Sequence, residues 1–364
     1  MNGSKTSAAG RLAFIDWTRG LAAVIMLQGH VFHSFTRTDL RDKGPYLLSQ
    51  FLGGLPPAIF LFLTGITFAF LMHSQEKQSG SGWQRTLGAL KRSRYLFFLA
   101  FAFRLQLYVF GFPTSPASEL LRVDILNCMG LAMLVFAPMA VFTARERIRL
   151  CTVLGLVVAG LAPVVSAIDA SAMPALLRNY FVPSNSYFGF FPWASFLAFG
   201  MAAGSVLRIV KPEDMSRVML WMLGIGLGLI TAAHSLSEMP YSIYAKSDFW
   251  LNSPCLTLMK LGAVLAMLAV AFLWVNLGVE KQSWSLFRQL GTTSLLVYWV
   301  HIEIVYGRWF GIWKEGLSVA QVLTFTVILL ALMTLLSLLR TRYTSIGAFF
   351  KPSPVPALRR ASGD

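Results

Sequence analysis

The sequence predicts an all-α, polytopic membrane bundle of about ten transmembrane helices, on three observations. Apolar residues make up 56% of the 364 and charged residues 13%, well away from the roughly 25% charged residues of soluble domains. Mean hydropathy is +0.62. The apolar residues gather into ten stretches, each long enough as a helix to cross about 30 Å of hydrocarbon.

Residues 1–12 form a small, polar tail expected in the cytoplasm. The first span, 13–35, is interrupted by Asp16 and Arg19 and lacks a small-x-small cleavage site, so it reads as a retained helix and not a signal peptide. The second and third spans, 51–72 and 94–112, are separated by a polar run, Gln75 to Gln84. The fourth and fifth, 121–142 and 149–167, flank Arg145, Arg147 and Arg149. The sixth, 188–207, opens on Phe190-Phe191-Pro192-Trp193, aromatics that suit an interfacial belt. The seventh, 218–236, contains Gly224-Ile-Gly-Leu-Gly228, a pattern that lets a neighbouring helix approach closely. The eighth is 255–276, the ninth 290–310 and the tenth 317–339. A basic cytoplasmic tail, 340–364, follows, with a Pro-rich Lys351 to Pro356, so a single membrane domain over 13–339 accounts for the chain.

Orientation follows from the Lys and Arg in alternate loops. With the N-terminus inside, one set of loops and tails carries 20 and the other eight, while Arg19, Arg104 and Lys260 lie within spans. Both termini are therefore expected in the cytoplasm. The basic surplus, 31 Lys and Arg against 16 Asp and Glu, is explained by this topology and by anionic lipid, and nucleic-acid binding is set aside. Cys128, Cys151 and Cys255 show none of the spacings of a zinc site, and neither a metal nor a disulfide framework is expected.

Ionisable side chains within hydrocarbon cost about 2.5–3.5 kcal/mol each on insertion scales, so they usually face a bundle interior and mark a pathway or site. Here they are Asp16, Arg19, His30 and His33 in the first span, Arg104 in the third, Asp124 at the start of the fourth, Lys260 in the eighth, and His301 with Glu303 in the ninth. Eleven residues separate Arg19 from His30, three turns plus about 20°, so both lie on one face roughly 16 Å apart along the axis. Met26 and His33 extend that stripe. A neutral imidazole is the natural base for an attacking hydroxyl or amine at neutral pH, which is the role expected of His30. Arg19 either holds part of an anionic donor or braces the bundle. Arg104, too deep to reach water, needs an acid, and Glu303, Asp124 and Asp16 are the available ones. Lys260, near the outer boundary, favours snorkelling over function. His301 follows Tyr298 by one turn, and a Tyr or Ser hydroxyl is its expected partner.

Several segments together resemble a known family. Phe14-Ile-Asp-Trp-Thr-Arg19 through Gly29-His30 resembles the opening helix of membrane acyltransferases, an Arg, ten residues, then His. Phe60-Leu-Phe-Leu-Thr-Gly65 resembles the second-helix motif of the heparan-α-glucosaminide N-acetyltransferase catalytic family and its bacterial relatives. Arg122-Val-Asp-Ile-Leu-Asn-Cys-Met-Gly130, Phe191-Pro-Trp193 followed by Gly200, and the Ser294 to His301 helix fit the same order. The resemblance implies transfer of an acyl group, usually acetyl, from cytoplasmic acetyl-CoA or another acyl-CoA to a sugar amine or hydroxyl on the outer side. On it, His30 is the catalytic histidine and Arg19 its motif partner. The animal lysosomal branch places its histidine after the first helix, so its substrate does not transfer, and His33 stays a rival to His30.

The expectation is an acyl-CoA-dependent acetyltransferase of a bacterial plasma membrane, acting on a carbohydrate or glycan acceptor. Lys91, Arg92 and Arg94, with Arg145 and Arg147, are weak candidates for attracting the donor's phosphates. Two rivals stand beside it: a transporter or flippase that binds an anionic solute or lipid-linked glycan at Arg104 and Lys260, and a non-catalytic assembly partner that tolerates loss of His30. The sequence shows no internal repeat of the transporter kind. Acceptor, acyl chain and oligomeric state are not specified by it.

Overall fold

The computed structural model describes residues 7–77, 81–184, 187–276 and 284–349. The first half of the expected N-terminal tail with Lys5, part of the polar 73–94 loop, Lys281, and the expected C-terminal tail from residue 350 lie outside the described residues. Among those described, the chain is helical, with one isolated bridge between Thr36 and Leu317 in place of any strand. In chain order the helices are α1 (Ser7–Phe35), α2 (Gly44–Gly53), α3 (Pro56–Lys77), α4 (Gly82–Gly111), α5 (Ile125–Phe136), α6 (Ala144–Ser166), α7 (Ala175–Phe181), α8 (Phe190–Ile209), α9 (Met215–Ser237), α10 (Pro254–Asn276), α11 (Leu286–Thr292), α12 (Ser294–Tyr306) and α13 (Val319–Phe349).

Several helix starts are written as capping boxes. Ser81 Oγ accepts from the Gln84 N–H at 3.3 Å while Gln84 Oε1 accepts from the Ser81 N–H at 3.0 Å, which starts α4 twelve residues before the expected third span. Asp124 and Asn127 cap α5 in the same reciprocal way, and Thr143 and Glu146 cap α6. Pro56 and Pro57 open α3, where the missing N–H costs no helix hydrogen bond. The expected ninth span is not one helix: α11 and α12 meet at Thr293, whose φ of −116° and ψ of 18° are not helical.

Among the described residues, seven helical segments are long and apolar enough to cross a membrane: Gly44–Glu76, Ala117–Val141, Ala144–Ser166, Phe190–Ile209, Pro212–Ser237, Pro254–Asn276 and Val319–Tyr343. Helices also occupy the other three expected spans, in α1, α4 and α11–α12. They fall short of that measure because α1 carries Asp16 and Arg19, the apolar part of α4 carries Arg94, Arg104 and Gln106, and α12 has 13 residues.

The centre of the bundle is α8, whose most apolar stretch is 83% buried, against 22% for α9 and for α13. It packs on α3 and α6. The α3–α8 crossing is possible because Gly65 and Gly200 face each other's partner helix: a Cβ at Gly200 would overlap the Phe62 carbonyl, and one at Gly65 the Leu197 carbonyl. In the α9–α10 pair only the middle glycine of the Gly224–Gly228 run is used, with Gly226 against Gly262, while Gly224 and Gly228 face open space. Buried apolar residues form two clusters, one from α3, α4, α5, α6, α8, α9 and α10 with the first half of α1, and one from α11, α12 and α13 with its second half. Exposed Val153, Leu156, Leu227, Val327 and Ile328 form outward-facing apolar surface that suits lipid.

Candidate functional site

A cavity of about 1410 Å³ lies along α1 and is walled by α3, α4, α5 and α12. All four stripe residues, Arg19, Met26, His30 and His33, line it, as the helical spacing requires once that face is left without a close neighbour. Arg92 of α4 and Arg340 of α13 join Arg19 at one end. At the other end Arg122, Glu303, Tyr306 and Lys314 join His33, and Phe68, Leu96, Met129 and Met133 form apolar wall.

His30 meets His301 there. Their rings lie edge to edge within 10° of parallel, with centroids 5.2 Å apart, and His30 Nδ1 is 2.9 Å from His301 Nε2. His301 is fully buried, and its Nδ1 is 2.7 Å from the Val297 carbonyl oxygen. A carbonyl can only accept, so His301 Nδ1 carries the proton, and in a neutral ring Nε2 must then accept. It follows that His30 Nδ1–H donates to His301 and that His30 Nε2 is left with its lone pair. Among the described residues no side chain occupies that lone pair. Two histidines thus fix one tautomer, the one that leaves a base at Nε2 of a residue lining the cavity. The expected hydroxyl partner of His301 is not used: the Tyr298 side chain meets it through a ring contact at 5.9 Å.

His33 is exposed and lies 3.3 Å from the Tyr306 hydroxyl, whose ring also stands edge-on to His30 at 5.3 Å. Arg19 is held by Asp16 at 2.8 Å, one turn earlier. Arg104 finds Asp124 Oδ2 at 3.2 Å from its Nε and Glu119 at 3.7 Å, and neither Asp16 nor Glu303. The Arg104–Asp124 contact is an ion pair without hydrogen-bond alignment, since both atoms are otherwise unsatisfied, while the other Asp124 oxygen caps α5 through Leu126 and Asn127. Glu303 is buried; one oxygen accepts from Trp309 Nε1 at 2.9 Å and the other has no hydrogen-bond partner.

Other candidates fall elsewhere. Lys260 does not line the cavity and sits 5.0 Å over the Trp193 ring. The basic group at 91–94 is divided by the helix: Arg92 lines the main cavity, whereas Lys91 and Arg94 line a separate pocket. Arg147 is fully buried, tied to Glu76 at 3.2 Å and to the Phe142 carbonyl at 2.9 Å, and is therefore no phosphate lure. No cluster of His, Cys, Asp and Glu among the described residues could hold a metal. Sequence reasoning missed Tyr306, Glu119 and Arg340. Tyr306 was within reach, since it follows Glu303 by one turn; Glu119 and Arg340 are placed by tertiary approach alone.

The description heparan-alpha-glucosaminide N-acetyltransferase, catalytic, belongs to a family model that matches residues 11–244, well over half of the chain. No curated protein matches it.

Proposed function

From the chain's membership of the heparan-alpha-glucosaminide N-acetyltransferase catalytic family, which makes it a membrane acetyltransferase, we propose that it moves an acetyl group from cytoplasmic acetyl-CoA to a sugar amine or hydroxyl at the outer face. The observation that carries this reading is the His30–His301 pair, which presents a lone pair to a cavity running the length of the α1 stripe. Ten crossings, with both termini in the cytoplasm of a bacterial plasma membrane, put the Arg19 end inside and the His33 end outside.

The cavity fits such a donor in kind. Arg19, Arg92 and Arg340 supply cations for phosphates, and the apolar wall between them and His30 suits an uncharged arm that must bring its thioester about 16 Å along α1. His30 Nε2 takes the proton from the acceptor's hydroxyl or amine. The acceptor atom bonds to the acetyl carbonyl carbon, the carbon–sulfur bond breaks, and the thiolate leaves toward the cationic end to collect a proton. Glu303, with one oxygen unsatisfied, and Lys314 flank the acceptor.

A transporter reading rests on Arg104 and Lys260 as anion-binding cations; Asp124 and Glu119 already neutralise Arg104, and Lys260 lies off the cavity over the Trp193 ring. The test is binding and turnover of radiolabelled acetyl-CoA by detergent-purified wild type and His30→Ala, read as hydrolysis or transfer to a panel of amino sugars. Histidine-dependent release or transfer of acetyl is expected. A wild type that neither binds nor turns over any acyl-CoA would sink the donor assignment.

A further inference from the structure

The three cations Arg85, Lys91 and Arg94 of α4 line a second pocket, of about 920 Å³, that is separate from the acetyltransferase cavity. Lys91 and Arg94 are three residues apart and so share a helix face. Between Arg85 and Lys91 that face carries Gly88, and a Cβ there would overlap the Gln75 side chain that reaches across from α3. The missing side chain is what makes the surface concave.

Two polar atoms of the pocket are unmatched, although Arg85 also donates from Nη2 to the Val141 carbonyl at 3.2 Å. Gln75 Oε1, an acceptor, and Arg85 Nε, a donor, are both buried without a hydrogen-bond partner. Glu76, the neighbouring acid on α3, is already engaged by Arg147 at 3.2 Å and His73 at 3.6 Å, which leaves the three cations without a carboxylate among the described residues. Apolar Leu87, Leu90, Phe97 and Leu134 complete the lining, and Leu87 and Leu134 are also exposed on the flank that faces lipid.

We propose that this pocket binds the headgroup of an anionic phospholipid that carries free hydroxyls, of the phosphatidylglycerol type, with its acyl chains against Leu87 and Leu134. The phosphodiester oxygens accept from Arg85 Nε, Lys91 and Arg94, and a headgroup hydroxyl donates to Gln75 Oε1. A zwitterionic choline lipid would bring a cation toward three cations and no donor for Gln75. Positive-inside topology explains why α4 is basic at this end, but not why these side chains surround a hollow with an unsatisfied donor and acceptor. The apolar continuation distinguishes a lipid from a soluble phosphate.

Native mass spectrometry of the full chain in detergent, titrated with phosphatidylglycerol and with phosphatidylcholine, tests this. Each cation near a lipid surface is worth about 1 kcal/mol, so Lys91→Gln/Arg94→Gln should lower the preference for phosphatidylglycerol roughly 30-fold, while Lys91→Arg/Arg94→Lys keeps it. Arg145→Gln/Arg149→Gln removes the same charge from exposed positions elsewhere at this end and should leave most of the preference. Equal loss in that control pair would reduce the site to general surface charge and overturn the proposal. Displacement of the lipid by stoichiometric coenzyme A or by inorganic phosphate would overturn it too, by assigning the pocket to a soluble anion.

Discussion

Replacing His301 by Phe isolates the hydrogen bond that sets the tautomer of His30. An aromatic ring is kept edge to edge with His30, and the acceptor 2.9 Å from His30 Nδ1 is removed. His30 Nδ1–H is then buried against a ring edge, which costs about 1–3 kcal/mol. The ring escapes that cost by moving its proton to Nε2, which takes the base out of the cavity. The same 1–3 kcal/mol on the barrier is roughly a five- to 150-fold loss in kcat/KM, with acetyl-CoA affinity unchanged. His30→Ala removes the general base itself, worth roughly 100- to 10,000-fold. Since His301 acts only through His30, the double variant should be no slower than His30→Ala alone. The assay is release of labelled acetyl under single-turnover conditions, with thermal unfolding as the check on folding. An additive double variant, or a His301→Phe chain as fast as wild type, would refute the relay.

Three further outcomes follow from the geometry. Asp124→Ala leaves Arg104 with Glu119 alone and uncaps α5, so it should destabilise the chain by about 3–5 kcal/mol for the broken pair and about 1 for the cap; Asp124→Asn, which can still cap, should lower the thermal midpoint less. Gly200→Ala drives a Cβ into the Phe62 carbonyl and should cost about 1–3 kcal/mol, whereas Gly224→Ala, with nothing within 4 Å, should gain up to about 1 kcal/mol; thermal unfolding of the two proteins in detergent decides. Glu303→Gln should raise acceptor KM roughly 10- to 150-fold, from about 1.5–3 kcal/mol for a hydrogen bond to a charged group, while acetyl-CoA hydrolysis without acceptor stays at the wild-type rate; a fall in hydrolysis would place Glu303 in donor chemistry instead.

Much of this architecture is legible in the sequence because hydrocarbon demands long apolar runs and closed backbone hydrogen bonding. The α1 stripe was readable because helical spacing alone puts Arg19, Met26, His30 and His33 on one face. The early start of α4 was also written there, in Ser81 and Gln84, but the polar composition of 75–84 masks a capping box. The break at Thr293 was written in Gly291-Thr292-Thr293-Ser294, a glycine and three hydroxyl residues that weaken a helix, but apolar residues on both sides let the run pass as one span. The meeting of His30 with His301 depends on α12 crossing α1, 271 residues away in sequence, and no local pattern specifies that. The division of Lys91 and Arg94 from Arg92, by contrast, follows from helical geometry once α4 is known to include them.

The most direct test is sided. Proteoliposomes that hold labelled acetyl-CoA only inside, with amino sugars only outside, ask whether one cavity joins donor and acceptor across the bilayer. Acetylated sugar should form outside with wild type and not with His30→Ala. Product that forms only when donor and acceptor share one side, or that persists without His30, would contradict the proposed mechanism.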